Sequence, residues 1–186
     1  MNELLKIRQY GYNILNNEKY KETMNKKHHG DITVLDHSIK VAVVALELVE
    51  RRNIKNIDER SLVKICLLHD YFEHADLKNI HEKYLKFATH PLESSKRAVL
   101  EFGLTDKERN AIATHMFPIS VELPLTREAY ILTIADKIVS LEEKKYPFYR
   151  NIKKFVLKEK VGVEQKSIFP ALNVSYARTR RKYEEE

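Results

Sequence analysis

Apolar residues recur at three- and four-residue spacing along most of this chain, and apolar/polar alternation never persists beyond a few positions. The pattern predicts an all-α fold. A first helix is expected over about residues 2–16, followed by the polar connector EKYKETMNKKHHGDIT, which is long for a structureless loop and has room for a short helix. From Leu35 to Arg52 a second helix carries Val34, Val41, Val44, Ala45 and Leu48 as one stripe, and His37 lies on it. A third begins near Asp58 or Ser61, with Leu62, Ile65 and Phe72 at helical spacing around His69, which turns that histidine inward.

The remaining elements are read from their ends. Pro91 suits a first helical turn and Gly103 a stop, so a fourth helix is expected from Pro91 to Phe102, with His90 just before it. Thr105, Asp106, Lys107 and Glu108 form a capping box, which predicts a fifth helix from Asp106 to His115, ending before Pro118. The next opens around Thr126, with Tyr130, Ile131, Ile134, Ile138 and Leu141 on its apolar side and Asp136 one step round. Beyond Pro147 the pattern weakens, although short apolar groups there are expected to pack as terminal helices.

Length and composition narrow the class. A chain of 186 residues suits a single domain, 1–186, with a sizeable core. Its 43% hydrophobic and 32% charged residues, with four glycines and five prolines, exclude a disordered or fibrous protein. The N-terminal MNELLKIRQY lacks a basic segment followed by an uninterrupted apolar stretch, and no run approaches the roughly 20 apolar residues of a membrane span, so a cytoplasmic location is expected. Cys66, the one cysteine, sits in an apolar run and reads as packing. The net charge of +6 is concentrated at residues 144–160 and 178–182, which favours anionic small-molecule partners. No nucleic-acid motif accompanies it and the chain ends in EEE, which argues against specific nucleic-acid binding. A homo-oligomer is left open.

The chemistry lies in six polar residues. His37, His69, Asp70, His90, His115 and Asp136 fall at ends or inward faces of five consecutive predicted helical segments, where uncompensated burial costs several kcal/mol each. A divalent cation removes that cost, because neutral imidazole and carboxylate are its ordinary ligands. Nitrogen and oxygen donors without thiolate suit manganese, iron, cobalt or zinc, and magnesium less well. Four ligands (His37, His69, Asp70 and Asp136) leave two octahedral positions for water or substrate. A bridging Asp70 connects a second ion held by His90 and His115, so one or two ions are expected.

The order H…HD…D, in LDHSIKVA, CLLHDYFEH and IADKIVSLEE, resembles the HD-domain superfamily of metal-dependent phosphohydrolases over roughly residues 30–145. The segment from THPLESSKRAV to IADKI is similar to a group of small bacterial HD-domain proteins of unassigned substrate. The resemblance implies a helical bundle with a metal site at its centre, an HD core over 30–145, and helical extensions at 1–29 and 146–186. It makes His37, His69, Asp70 and Asp136 the family's ligands and matches His90 and His115 to the extra histidines of its dinuclear members. The implied activity is hydrolysis of a phosphate ester or nucleotide by metal-activated water.

Where many relatives continue HD with an apolar residue, Gly and Lys, this chain has Tyr71, Phe72 and Glu73. That resembles the HDxxE of deoxynucleoside monophosphatases and assigns Glu73, with Asp70, to catalysis as water orienter or base. Lys137, directly after the last ligand, is the candidate phosphate contact, and His29, in the connector before His37, a second substrate-binding candidate. Two alternatives share the ligands: a diiron oxygenase of the same superfamily, and a non-catalytic metal-binding regulatory module.

Overall fold

The computed structural model describes residues 2–29, 32–72, 79–120 and 122–143, and among these the fold is helical apart from one short ribbon. The N-terminal segment is not one helix. α1 (Glu3–Tyr10), capped by the Asn2 side chain, ends at Gly11, and α2 (Tyr12–Leu15) starts afresh. A Cβ at Gly11 would lie 2.4 Å from Leu67 Cδ1 and 2.8 Å from the Ile7 carbonyl oxygen, so the break falls where the chain passes too close to its neighbours for a side chain.

The described part of the polar connector is structured as well. It forms α3 (Glu18–Met24), capped by Asn17, and then an antiparallel pair, β1 (Lys27–His29) with β2 (Ile32–Thr33). The ribbon delivers Thr33 as the N-cap of α4 (Val34–Arg52), where Thr33 and Asp36 exchange the two bonds of a capping box. That box fixes where α4 starts, and so fixes the direction of His37 one turn in. α4 is buried around most of its surface rather than along one stripe, as befits a central helix, and it packs against α1, α5 (Glu59–Leu68) and α8 (Arg127–Glu143). Asn53, at φ 52°, ends it.

The expectation of a helix starting at Pro91 is corrected. α6 runs Ile80–Phe102, capped by Asn79 and closed by Gly103 at φ 59°, so Pro91 lies inside it. α7 (Asp106–Ala113) keeps the predicted capping box between Thr105 and Glu108 but stops at Thr114, leaving His115 just past its end. On α8, the expected apolar side is corrected in part. Ile131 and Ile138 are buried as expected, but Tyr130 and Ile134 are 47% and 40% exposed, and Ala129, Leu132, Ala135, Asp136 and Val139 are buried as well.

A buried aromatic cluster ties the N-terminal elements to this core. Tyr20 of α3 packs against Tyr71 and Phe102, and its hydroxyl donates to the Leu67 carbonyl at 2.6 Å. Among the described residues no helix is long and apolar enough to cross a membrane. The basic segments at 144–160 and 178–182 lie outside the described residues.

Candidate metal centre

Five elements bring the six predicted residues together: His37 from α4, His69 and Asp70 directly after α5, His90 from α6, His115 just past α7, and Asp136 from α8. None is more than 8% exposed, so none has bulk water to satisfy it. Asp70 lies at the middle. Its Oδ2 is 3.5 Å from His69 Nε2 and 3.9 Å from His37 Nε2, while its Oδ1 is 3.3 Å from His90 Nε2 and 3.7 Å from His115 Nε2. Asp136 Oδ1 is 3.1 Å from His37 Nε2 and 3.7 Å from His69 Nε2.

These separations can be compared with what a cation requires. Donors about 2.1 Å from one ion stand roughly 3.0 Å apart at right angles and roughly 3.4 Å apart at the tetrahedral angle. Two groups of donors come near that spacing, His37–His69–Asp70 and Asp70–His90–His115, each with its ligand atoms within 4.8 Å of one another, and they share Asp70. Asp136 joins the first through its short contact with His37.

The backbone sets three of the four imidazoles. His69, His90 and His115 each donate Nδ1–H to the carbonyl three residues earlier, Cys66 at 2.8 Å, Phe87 at 2.9 Å and Ile112 at 2.8 Å. Such carbonyls are normally spent within a helix. Cys66 and Ile112 lie in the last turns of α5 and α7, where carbonyls lack the bond from the residue four positions on, although Ile112 also takes the His115 backbone N–H at 3.4 Å. Phe87 lies mid-helix, but its partner four residues on is Pro91, which has no N–H to give. The proline thus frees the carbonyl that orients His90. In all three, Nε2 is left pointing inward with its lone pair available.

His37 is held differently, by a 2.9 Å bond from Nδ1 to Oε2 of Glu143, whose side chain is 1% exposed. The sequence reading missed this carboxylate. A signal existed, since Glu143 follows Asp136 by seven residues, two turns along the same helix face.

Charge accumulates accordingly. Burial disfavours the charged form of His37, yet its bonds to Asp136 and Glu143 prevail and raise its pKa to about 10. His69 is raised too, burial being outweighed by Asp70 and Asp136. Asp70 and Asp136 are held well below the ordinary carboxylate range despite burial, by His69, His90 and His115 around the first and by His37 and His69 around the second. His115 moves the other way, to about 3, because burial and the neighbouring His90 and His69 all oppose a further positive charge.

The arrangement fits a cation. Nε2 of His69 is buried with no hydrogen-bond partner, a cost that a metal bond at that atom relieves. Nε2 of His90 and Nε2 of His115 face each other at 3.0 Å while both Nδ1 atoms are committed to carbonyls, so the contact needs a proton or a cation between them.

Lys137 stands at the edge of the cluster, half-buried, with Nζ 3.4 Å from the His115 carbonyl oxygen. Burial lowers its pKa against the pull of Asp136. Glu73 lies outside the described residues, as does the side chain of His29, whose backbone ends β1.

The family model described as HD domain matches residues 34–141, a span that runs from the start of α4 into α8 and contains all six clustered residues. Comparison with curated proteins and with solved structures gave no match.

Proposed function

The chain belongs to the HD-domain family, and from that membership we propose that it is a metal-dependent phosphohydrolase acting on a phosphate ester or nucleotide. The observation that carries the reading is the division of Asp70, one oxygen turned to His69 and His37 and the other to His90 and His115. In this reading His37, His69, Asp70 and Asp136 hold one divalent ion, and Asp70, His90 and His115 hold a second. Manganese, iron, cobalt or zinc suits these donors better than magnesium. Bound there, such ions supply Lewis acidity, lowering the pKa of water and neutralising phosphate charge.

The chain's own groups do the rest. Glu143 and the three carbonyls keep each imidazole turned inward. Lys137, next to Asp136 and with its ammonium 3.4 Å from the His115 carbonyl oxygen, is assigned to the phosphate contact. Glu73, four residues after His69, is assigned to orient the attacking water, and His29 to the substrate's side of the connector. The proposed organisation is one domain over 1–186, with an HD core at 30–145 and extensions at 1–29 and 146–186, working in the cytoplasm on a small anionic molecule.

The test is turnover of a phosphate-ester and nucleotide panel with manganese, iron or cobalt, run beside Asp70→Ala. Absence of turnover with every metal, or equal activity in the variant, would falsify the assignment.

A further inference from the structure

Next to the metal cluster lies a cavity of ≈ 390 Å³, lined by Thr23, Lys26, Phe72, Glu93 and Arg97. That volume lies within the roughly 300–1,000 Å³ of small-molecule sites. Phe72 connects the two places. It lines the cavity, follows Asp70 by two positions, and stands with its ring 5.1 Å from the His90 ring.

Arg97 is braced on three sides. Its Nε donates to Glu101 at 3.2 Å, its Nη2 donates to Thr23 Oγ1 at 3.0 Å, and its guanidinium lies 4.1 Å over the Tyr71 ring. The Tyr71 hydroxyl donates to Glu101 in turn, at 2.7 Å. Nη1 has no hydrogen-bond partner among the described residues. A guanidinium fixed in this way loses little further freedom when it takes a ligand. Glu93, the acidic group in the lining among the described residues, is already engaged by Lys86 and by the Thr89 hydroxyl. Lys26 adds a second positive charge to the wall.

We propose that this cavity is a subsite for a second anionic group of the substrate, a phosphate or carboxylate lying one aromatic ring away from the group that the metal cluster takes. Arg97 forms the bidentate or single contact to that group, Lys26 adds charge, and Phe72 packs against the part that joins the two ends. The inference rests on the phosphohydrolase reading and narrows its substrates to molecules with two anionic ends. It also gives the residues after the HD pair a role, with Tyr71 carrying Arg97 and Phe72 forming the wall.

The test uses non-hydrolysable probes and the manganese-loaded full chain. Calorimetry compares an alkyl monophosphonate with α,ω-alkane bisphosphonates of increasing length, on the wild type, Arg97→Gln and Lys26→Ala. At the matching length the wild type is expected to bind the bisphosphonate at least about tenfold tighter than the monophosphonate, and each variant to lose most of that ratio. Lys26 is exposed, so its variant reads the subsite even where Arg97→Gln fails to fold. Monophosphonate binding with no gain at any length, or a gain that persists in Lys26→Ala, overturns the subsite alone. No binding of either probe overturns the subsite and the metal-centred reading together.

Discussion

His37 and Glu143, 106 residues apart in sequence, are joined by a 2.9 Å hydrogen bond from Nδ1 to Oε2, so the start of α4 and the end of α8 meet at one imidazole. The other three histidines rely on carbonyls for the same service. A carboxylate in that position raises the basicity of the ring as well as orienting it. Glu143→Gln keeps the shape and removes the charge, and is expected to weaken metal binding roughly ten- to hundredfold. Competition against a chromogenic chelator measures it, and parity with the wild type would show the bond to be incidental.

Because the two groups of donors share only Asp70, they can be emptied selectively. His115→Asn is expected to reduce the bound metal from two ions per chain to one, and Asp70→Asn to deplete both. Metal content after dialysis, read by plasma mass spectrometry, decides between this and a single-ion centre, in which His115→Asn would leave the stoichiometry where it was.

In the metal-free protein, His37 is raised to about 10 by Asp136 and Glu143 against the opposing effect of burial. Since that pKa is raised on folding, the stability it contributes is complete below the ordinary histidine range and is lost as pH climbs through about 10. Asp70 and Asp136 are depressed, so their contribution is present above the ordinary carboxylate range and is lost as pH falls through their lowered values. A cation needs Nε2 of His37 without its proton. Binding at pH 7 is therefore expected to release about one proton from this residue and to tighten as pH rises. Calorimetry in buffers of different ionisation enthalpy counts the protons, and a heat that does not vary with the buffer contradicts the expectation.

Lys137 belongs to α8, yet its ammonium reaches the carbonyl of His115 beyond α7. Lys137→Met retains the aliphatic stem and removes the charge. Turnover of a phosphate ester is expected to fall about tenfold or more while bound metal stays constant. A variant with wild-type kcat and KM would place Lys137 outside the reaction.

Much of the bundle can be read from its caps and its misplaced polar residues. Thr105 and Glu108 announce α7, and His37, His69, Asp70 and Asp136 stand out because each interrupts an apolar surface. Two features resist that reading for different reasons. Pro91 looks like a helix start because a proline inside a helix normally strands the carbonyl four residues back; here the His90 ring donates to that Phe87 carbonyl, and nothing local in the sequence reveals it. α8 offers two apolar sides, and hydrophobicity favours the larger residues. Packing buries Ile131 and Ile138 together with the alanine-bearing side and leaves Tyr130 and Ile134 outward. Glu143 hides among the charged residues EEKK, where a buried carboxylate and a solvated one look alike.

The carbonyls of Cys66, Phe87 and Ile112 make the centre a gauge of where helices stop. Were α5 to wind on by one turn, or α6 to regain an N–H at position 91, the oxygen that steers an imidazole would acquire a backbone competitor with every ligand side chain still in place, and at the end of α7 the Ile112 oxygen already shares itself with the His115 N–H at 3.4 Å. Substitutions that improve helix propensity at these three junctions can therefore strengthen the scaffold and loosen the metal in the same stroke, a trade that a search for ligand residues alone would overlook.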